Sequence, residues 1–157
     1  LNCGNISQGW GNTKYATVDR AYDGKIHNGV DVAAGANTGI HSIGDGKVYA
    51  TGNDDNFSRW GNWIIIEHRV NNKDYYSLYA HLIAPTALLK GDTVTPDDVV
   101  GGVGGSGGWP VHLHFSIYTS PPSSSSPDYP GNTIDPLDYM DITVSTGGTD
   151  WDPAHAH

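Results

Sequence analysis

At 157 residues, with a formal net charge of −9, eight Lys and Arg in total and a single cysteine, the chain is sized for one domain and excludes several classes of function. A nucleic-acid binder must neutralise phosphates with clustered cations, and an anionic membrane surface asks for the same sign of charge, so neither partner is expected. Cys3 has no second cysteine to pair with, which rules out an internal disulfide and a thiolate zinc cluster; any metal must be held by His and carboxylates.

Twenty-one glycines, nine prolines and only 16% charged residues suit a β-rich, turn-rich globule better than a helical bundle. No stretch approaches the ~20 apolar residues of a membrane span, and Leu1-Asn2-Cys3 is not a basic-then-apolar leader. The chain reads as a mature or excised domain over residues 1–142, followed by a polar tail over 143–157 whose His155 and His157 belong to a mobile terminus.

Residues 1–26 are polar, and Gln8-Gly9-Trp10-Gly11-Asn12 suggests a tight turn packed by one large ring, without assigned chemistry. Next comes His27-Asn28-Gly29-Val30-Asp31. Gly29 and the β-branched Val30 and Val32 disfavour a helix, yet the even spacing of His27 and Asp31 keeps both side chains on one side of an extended segment. Read alone, the pair is more simply a surface histidine near a turn aspartate.

Residues 39–50 read as a strand, an Asp45-Gly46 turn and a second strand, which predicts a hairpin, with His41 structural or exposed at a strand end. Residues 60–68 are too short for a globular helix and rich in β-branched and aromatic residues, which predicts a central strand closing on a partly exposed His68. A turn over 71–74 leads to the partner strand of a second hairpin, 75–82, with His81 at its end. Short β-branched runs from 88 to 103 continue the meander. The glycines at 101, 102, 104, 105, 107 and 108 lack a G-K-[ST] and a following helix, so a phosphate loop is rejected; they let the backbone pass close to a site or a substrate.

Val111-His112-Leu113-His114-Phe115 carries the most chemistry. A strand points residues i and i+2 the same way, so both imidazoles line one wall while Leu113 faces a core. If one imidazole binds a metal, the other is placed to exchange protons with what the metal holds. Two solvent-facing histidines on an edge strand would show the same tripeptide. The Ser/Pro-rich stretch 119–131 is a loop, either a lip over a cleft or an uninvolved linker. Taken together, His27, Asp31, His81, His112 and His114 all fall at strand ends or adjoining turns, and two histidines with one aspartate satisfy the three N/O ligands of a catalytic zinc site.

This ordered set of motifs resembles the M23 zinc metallopeptidases, the lysostaphin and LytM type of peptidoglycan endopeptidase. The resemblance runs from about Gly9 to Tyr139 through H-x-G-[IV]-D at 27–31, the G-N strand at 61–68, Y-A-H-L at 79–82, G-D-x-V at 91–94, G-x-[ST]-G at 104–107, H-L-H-F at 112–115 and D-P-L at 135–137. It implies an all-β fold, with an antiparallel β-sheet core and loops walling an active-site groove. It also implies one zinc ion per chain held by His27, Asp31 and His114, with His81 and His112 as the unligated catalytic pair. The activity implied is hydrolysis of peptide bonds in bacterial peptidoglycan cross-links or stem peptides by a secreted or periplasmic monomer. Ser116 stands where members often carry an acidic residue, and Val111 displaces the usual proline to Pro110. The loop that supplies some members with a tyrosine for the tetrahedral intermediate offers Phe57, Ser58 and Trp60 instead. Two alternatives are a degenerate, non-hydrolytic wall-binding or hydrolase-activating member, and a carrier-like β-sandwich suggested by Gly91-Asp92-Thr93-Val94, which lacks the modifiable hairpin lysine.

Overall fold

A computed structural model describes residues 5–11, 13, 26–54, 60–122 and 132–139. Within them the chain forms strands β1 (Asn5–Gln8), β2 (Val30–Ala33), β3 (Gly39–His41), β4 (Gly46–Asp54), β5 (Gly61–Val70), β6 (Lys73–Leu82), β7 (Thr93–Val94), β8 (Val99–Gly102), β9 (Leu113–Tyr118) and β10 (Thr133–Ile134). A single 3-10 turn, Pro136–Asp138, is the one helical element among the described residues. Asp135 caps it by accepting the Leu137 N–H at 2.9 Å.

The main sheet runs β1-β2-β9-β6-β5-β4-β7, every neighbour antiparallel, and β10 pairs with β9 past the end of β2. The β5–β6 hairpin is its spine. Asn71 and Asn72 close it at φ 50° and 62°, the left-handed pair that matches the twist of a two-residue connection and that Asn tolerates better than most residues. The expected central strand and second hairpin are therefore in place.

Alternation along the strands builds two faces. Val30, Val48, Ile64, Ile66, Tyr79, Phe115 and Ile117 form one, joined by Ile40 and Val100 from a small β3–β8 sheet. Trp63, Ile65, Leu78, Ala80, Tyr76 and Tyr118 form the other. Since both faces are buried, β5 carries Ile64-Ile65-Ile66 without a polar break. Asp31, His114 and Ser116 share the second face, because Asp31 and Ala80 flank His114 in register and Leu78 lies opposite Ser116.

Three expectations need correction. The hairpin over 39–50 does not form: β3 pairs with β8 and β4 with β5 and β7. The Asp45-Gly46 turn switches sheets instead, pinned where the Ile43 N–H donates to the Tyr79 hydroxyl (2.9 Å) and Ser42 Oγ–H donates to the Gly44 carbonyl (2.6 Å). His68 is not a partly exposed strand end. Strand β5 continues to Val70, and His68 is 5% exposed. Its Nδ1–H donates to the Asp45 carbonyl at 2.9 Å while Nε2 lies 2.7 Å from Ser77 Oγ. Finally, β9 begins at Leu113; His112 precedes it in an isolated bridge with Gly104.

Candidate metal centre and active site

Strand register brings Asp31 and His114 side by side, and His27 enters from the segment before β2, where its backbone pairs with Gly11. Asp31 Oδ1 lies 2.9 Å from His114 Nδ1 and 3.3 Å from His27 Nε2, and the two ring nitrogens are 3.2 Å apart. Each of the three residues thus offers one ligand atom within 4.8 Å of the other two. All three are buried.

Hydrogen bonds on the outer side of the rings set which nitrogen faces inward. His27 Nδ1 is 2.7 Å from the Gly9 carbonyl. A carbonyl only accepts, so Nδ1 bears the proton and Nε2 turns a lone pair toward Asp31. His114 Nε2 is 2.9 Å from Ser116 Oγ, and with its proton donated there, Nδ1 is the bare nitrogen beside Asp31. Two lone pairs and a carboxylate oxygen then converge, a donor set that fits a zinc ion with three protein ligands and an open position. Outer partners of this kind orient ligating imidazoles and tune their basicity.

Gly29 makes room for the arrangement. A Cβ there would stand 2.4 Å from Ser116 Oγ and 2.3 Å from the Phe115 carbonyl oxygen. Burial works to raise the Asp31 carboxyl, but the His27 and His114 imidazoles packed against it outweigh burial and hold Asp31 well below the usual carboxylate range. Burial lowers His114, against the opposing pull of Asp31. The site keeps an anion beside His114, whose burial favours the neutral, metal-binding form.

His81 and His112 stand beside this cluster. Their ring centroids are 4.7 Å apart, His81 is 6.0 Å from His114, and His112 Nε2 is 3.7 Å from Asp31 Oδ1. His81 reaches the site through an irregularity: the β5–β6 register shifts between Asn62 and Ile64, so that the strand end is re-aimed there. It also adopts φ 62°, a left-handed conformation that costs a non-glycine residue ~1–3 kcal/mol and persists only where surrounding structure enforces it. Its N–H donates to the Trp60 carbonyl (2.9 Å) and its Nδ1–H to the Ser106 carbonyl (3.0 Å). His112 Nδ1–H donates likewise to the Pro110 carbonyl at 2.7 Å. With Nδ1–H donating to a carbonyl, Nε2 is the nitrogen each ring leaves for other partners. Burial, reinforced by the nearby His114 and His112, pushes His81 down to about 3.

All five residues expected to carry chemistry come together on one face. Of the loop considered for the tetrahedral intermediate, Phe57 and Ser58 lie outside the described residues. Trp60 is 4% exposed and packs edge-on against Trp63 at 5.8 Å, making it core rather than groove wall. His41 stays apart, its Nδ1–H on the Pro96 carbonyl. The glycine run closes against the segment carrying His81: a Cβ at Gly104 would meet Ile83 at 2.4 Å and the His81 carbonyl at 2.8 Å.

A family model for peptidase family M23 matches residues 25–136. The chain belongs to peptidase family M23. It is 33% identical over 109 residues to the L-Ala–D-Glu endopeptidase of Bacillus subtilis (strain 168), covering 63% of this chain and 32% of that protein, so it spans about a third of that relative's length. Its fold matches the catalytic domain of the antimicrobial peptidase lysostaphin from Staphylococcus simulans (TM-score 0.69, 23% identity, 87% of this chain and 91% of that one). A zinc-containing peptidase from Vibrio cholerae is also similar, with TM-score 0.61 and 28% identity over 82% of this M23 chain and 38% of that one. No helix among the described residues is long and apolar enough to cross a membrane.

Proposed function

We propose that this M23 domain is a zinc-dependent endopeptidase that cleaves peptide bonds in bacterial peptidoglycan, acting as a secreted or periplasmic monomer with one zinc ion per chain. The observation that carries the reading is the convergence of His27, Asp31 and His114 on one point, with a second imidazole pair at its side. His27 Nε2, His114 Nδ1 and an Asp31 oxygen would hold the metal. When bound, zinc supplies Lewis-acid polarisation of the scissile carbonyl and lowers the pKa of a water to ~7.

The remaining work falls to His81 and His112. A neutral imidazole with Nδ1–H anchored on a carbonyl can take a proton at Nε2 without losing its orientation. The imidazolium so formed can donate to the leaving amine or to oxyanion charge. The ring of Trp109, 5.7 Å from His81 and 6.5 Å from His112, is an apolar neighbour for both. A peptidoglycan peptide as substrate is supported by the likeness to the L-Ala–D-Glu endopeptidase of Bacillus subtilis. The acidic balance of the chain, −9, disfavours charge-driven wall binding, which leaves recognition to an active-site groove, to a further domain or to screening of the charge by salt.

The test is turnover by zinc-loaded protein on purified peptidoglycan, read as new amino termini. Activity that a chelator abolishes and zinc restores is expected. Stoichiometric zinc with no release of amino termini would instead favour a non-hydrolytic wall-binding member.

A further inference from the structure

Ser106, in the Gly104-Gly105-Ser106-Gly107 turn, makes two hydrogen bonds that reach both strands at the open end of the β5–β6 spine, where Asn62 pairs with Leu82. Its carbonyl accepts His81 Nδ1–H at 3.0 Å, and its hydroxyl accepts the Asn62 N–H at 2.8 Å. The turn is thereby fastened to the start of β5 while it holds the imidazole at the end of β6. Fit is tightest at Gly61, which has φ +62°: a Cβ there would lie 2.4 Å from the Ser106 carbonyl carbon and Oγ, and 2.5 Å from Gly107 N. Opposite the turn, Asn62 Nδ2–H donates to the Leu82 carbonyl (3.1 Å) and His81 N–H to the Trp60 carbonyl (2.9 Å). His81 is thus bracketed on both sides of its left-handed backbone.

We infer that Ser106 is the positioning residue for His81, its hydroxyl fixing the turn so that its carbonyl holds the imidazole with Nε2 available for proton transfer. The inference rests on the reading of His81 as a proton-handling residue of the proposed peptidase. It explains the hydroxylated residue between glycines: alanine would leave the Asn62 N–H without its acceptor. The hydrogen bonds of Ser106 go to Asn62 and His81 and not to His27, Asp31 or His114, so its removal is expected to leave metal binding intact. Misplacement of a catalytic group by ~1 Å can cost 10²-fold in rate.

The experiment compares wild type, Ser106→Ala and Ser106→Thr in the zinc-loaded protein, measuring kcat, KM, zinc affinity and the imidazole N–H resonance of His81. For Ser106→Ala, kcat is expected to fall roughly 10- to 100-fold with KM and zinc affinity unchanged. The His81 Nδ1–H signal, protected in wild type, should exchange with solvent in the alanine variant, and threonine should restore both. An alanine variant with wild-type kcat and a protected signal overturns the inference, as does a loss that threonine fails to rescue or that tracks zinc. If wild type shows no turnover, the peptidase reading fails, and protection of the His81 signal still decides the role of Ser106. Should Ser106→Ala not fold, Ser106→Cys, which keeps a weaker sulfur acceptor, is read the same way.

Discussion

Buried imidazoles occur in two settings, His68 near the turn of the β5–β6 spine and the His27–His114 pair beside the end of β6, and only the second is poised for chemistry. In the inner turn of β5 and β6, His68 Nδ1–H is anchored on the Asp45 carbonyl, just as His27, His81 and His112 are anchored on Gly9, Ser106 and Pro110. What differs is the other nitrogen. His68 Nε2 must accept, so the Ser77 hydroxyl 2.7 Å away donates to it, and Ser77 in turn can accept from the Tyr79 hydroxyl at 3.3 Å, which itself accepts the Ile43 N–H. That chain is closed by protein donors. At the metal centre, the inward nitrogens of His27 and His114 meet a carboxylate rather than a donor. His68 completes a core, whereas His27 and His114 present lone pairs at a point where a metal could be held.

Removing that metal should have the largest effect. Stripping zinc with a chelator is expected to abolish turnover and lower the melting temperature, since a ligand at a thousand times its Kd stabilises the native state by about 4 kcal/mol. Calorimetry with and without chelator checks both at once. Ser116→Ala comes next: with His114 Nε2 deprived of its partner, zinc affinity should fall about 10- to 100-fold in competition with a chromophoric chelator, while Ser77→Ala leaves it unchanged. Ser77→Ala should instead cost ~1–3 kcal/mol in denaturant unfolding, because it leaves His68 Nε2 and the Tyr79 hydroxyl inside the core without their bridging group. A shared loss of zinc affinity would erase the contrast between the two groups.

The smallest effect is acid sensitivity of the closed chain. Burial lowers the His68 pKa below its ordinary value of 6.5, against the raising influence of the Asp45 carbonyl and charge. A histidine depressed in the folded state binds fewer protons there than when unfolded, so its contribution is whole above about pH 6.5 and is lost as pH falls from there through the lower folded value. His68→Gln should flatten the dependence of apo-protein stability on pH in that window. An unchanged slope would mean that His68 does not titrate on unfolding.

Much of the candidate site is legible because its residues are side chains at fixed motif spacing. His27, Asp31, His81, His112 and His114 all stand in those motifs, and the fold brings the five side chains together. The parts that orient them were not legible, for a physical reason: Gly9, Ser106 and Pro110 act through backbone carbonyls, which every residue possesses. Ser116 and Pro110, read from sequence as departures from the family pattern, turn out to be hydrogen-bond partners of His114 and His112. In the fold, β5 and β6 were readable from β-branched runs and an Asn-Asn turn. The 39–50 hairpin was misread because Asp45-Gly46 bends a chain equally well into its neighbour or into another sheet, and only the distant pairing of β3 with β8 decides. His68 was misread because a polar residue inside a long central strand looks like that strand's end.

The division of labour between His114 and His112 is tested most directly by metal content and peptidoglycan turnover measured together in His114→Ala and His112→Ala. The first variant should lose zinc and activity together. The second should retain stoichiometric zinc and lose ~10²–10⁴-fold in kcat, the usual contribution of a proton-transfer group. Equal loss of zinc from both, or full activity in His112→Ala, would contradict the assignment.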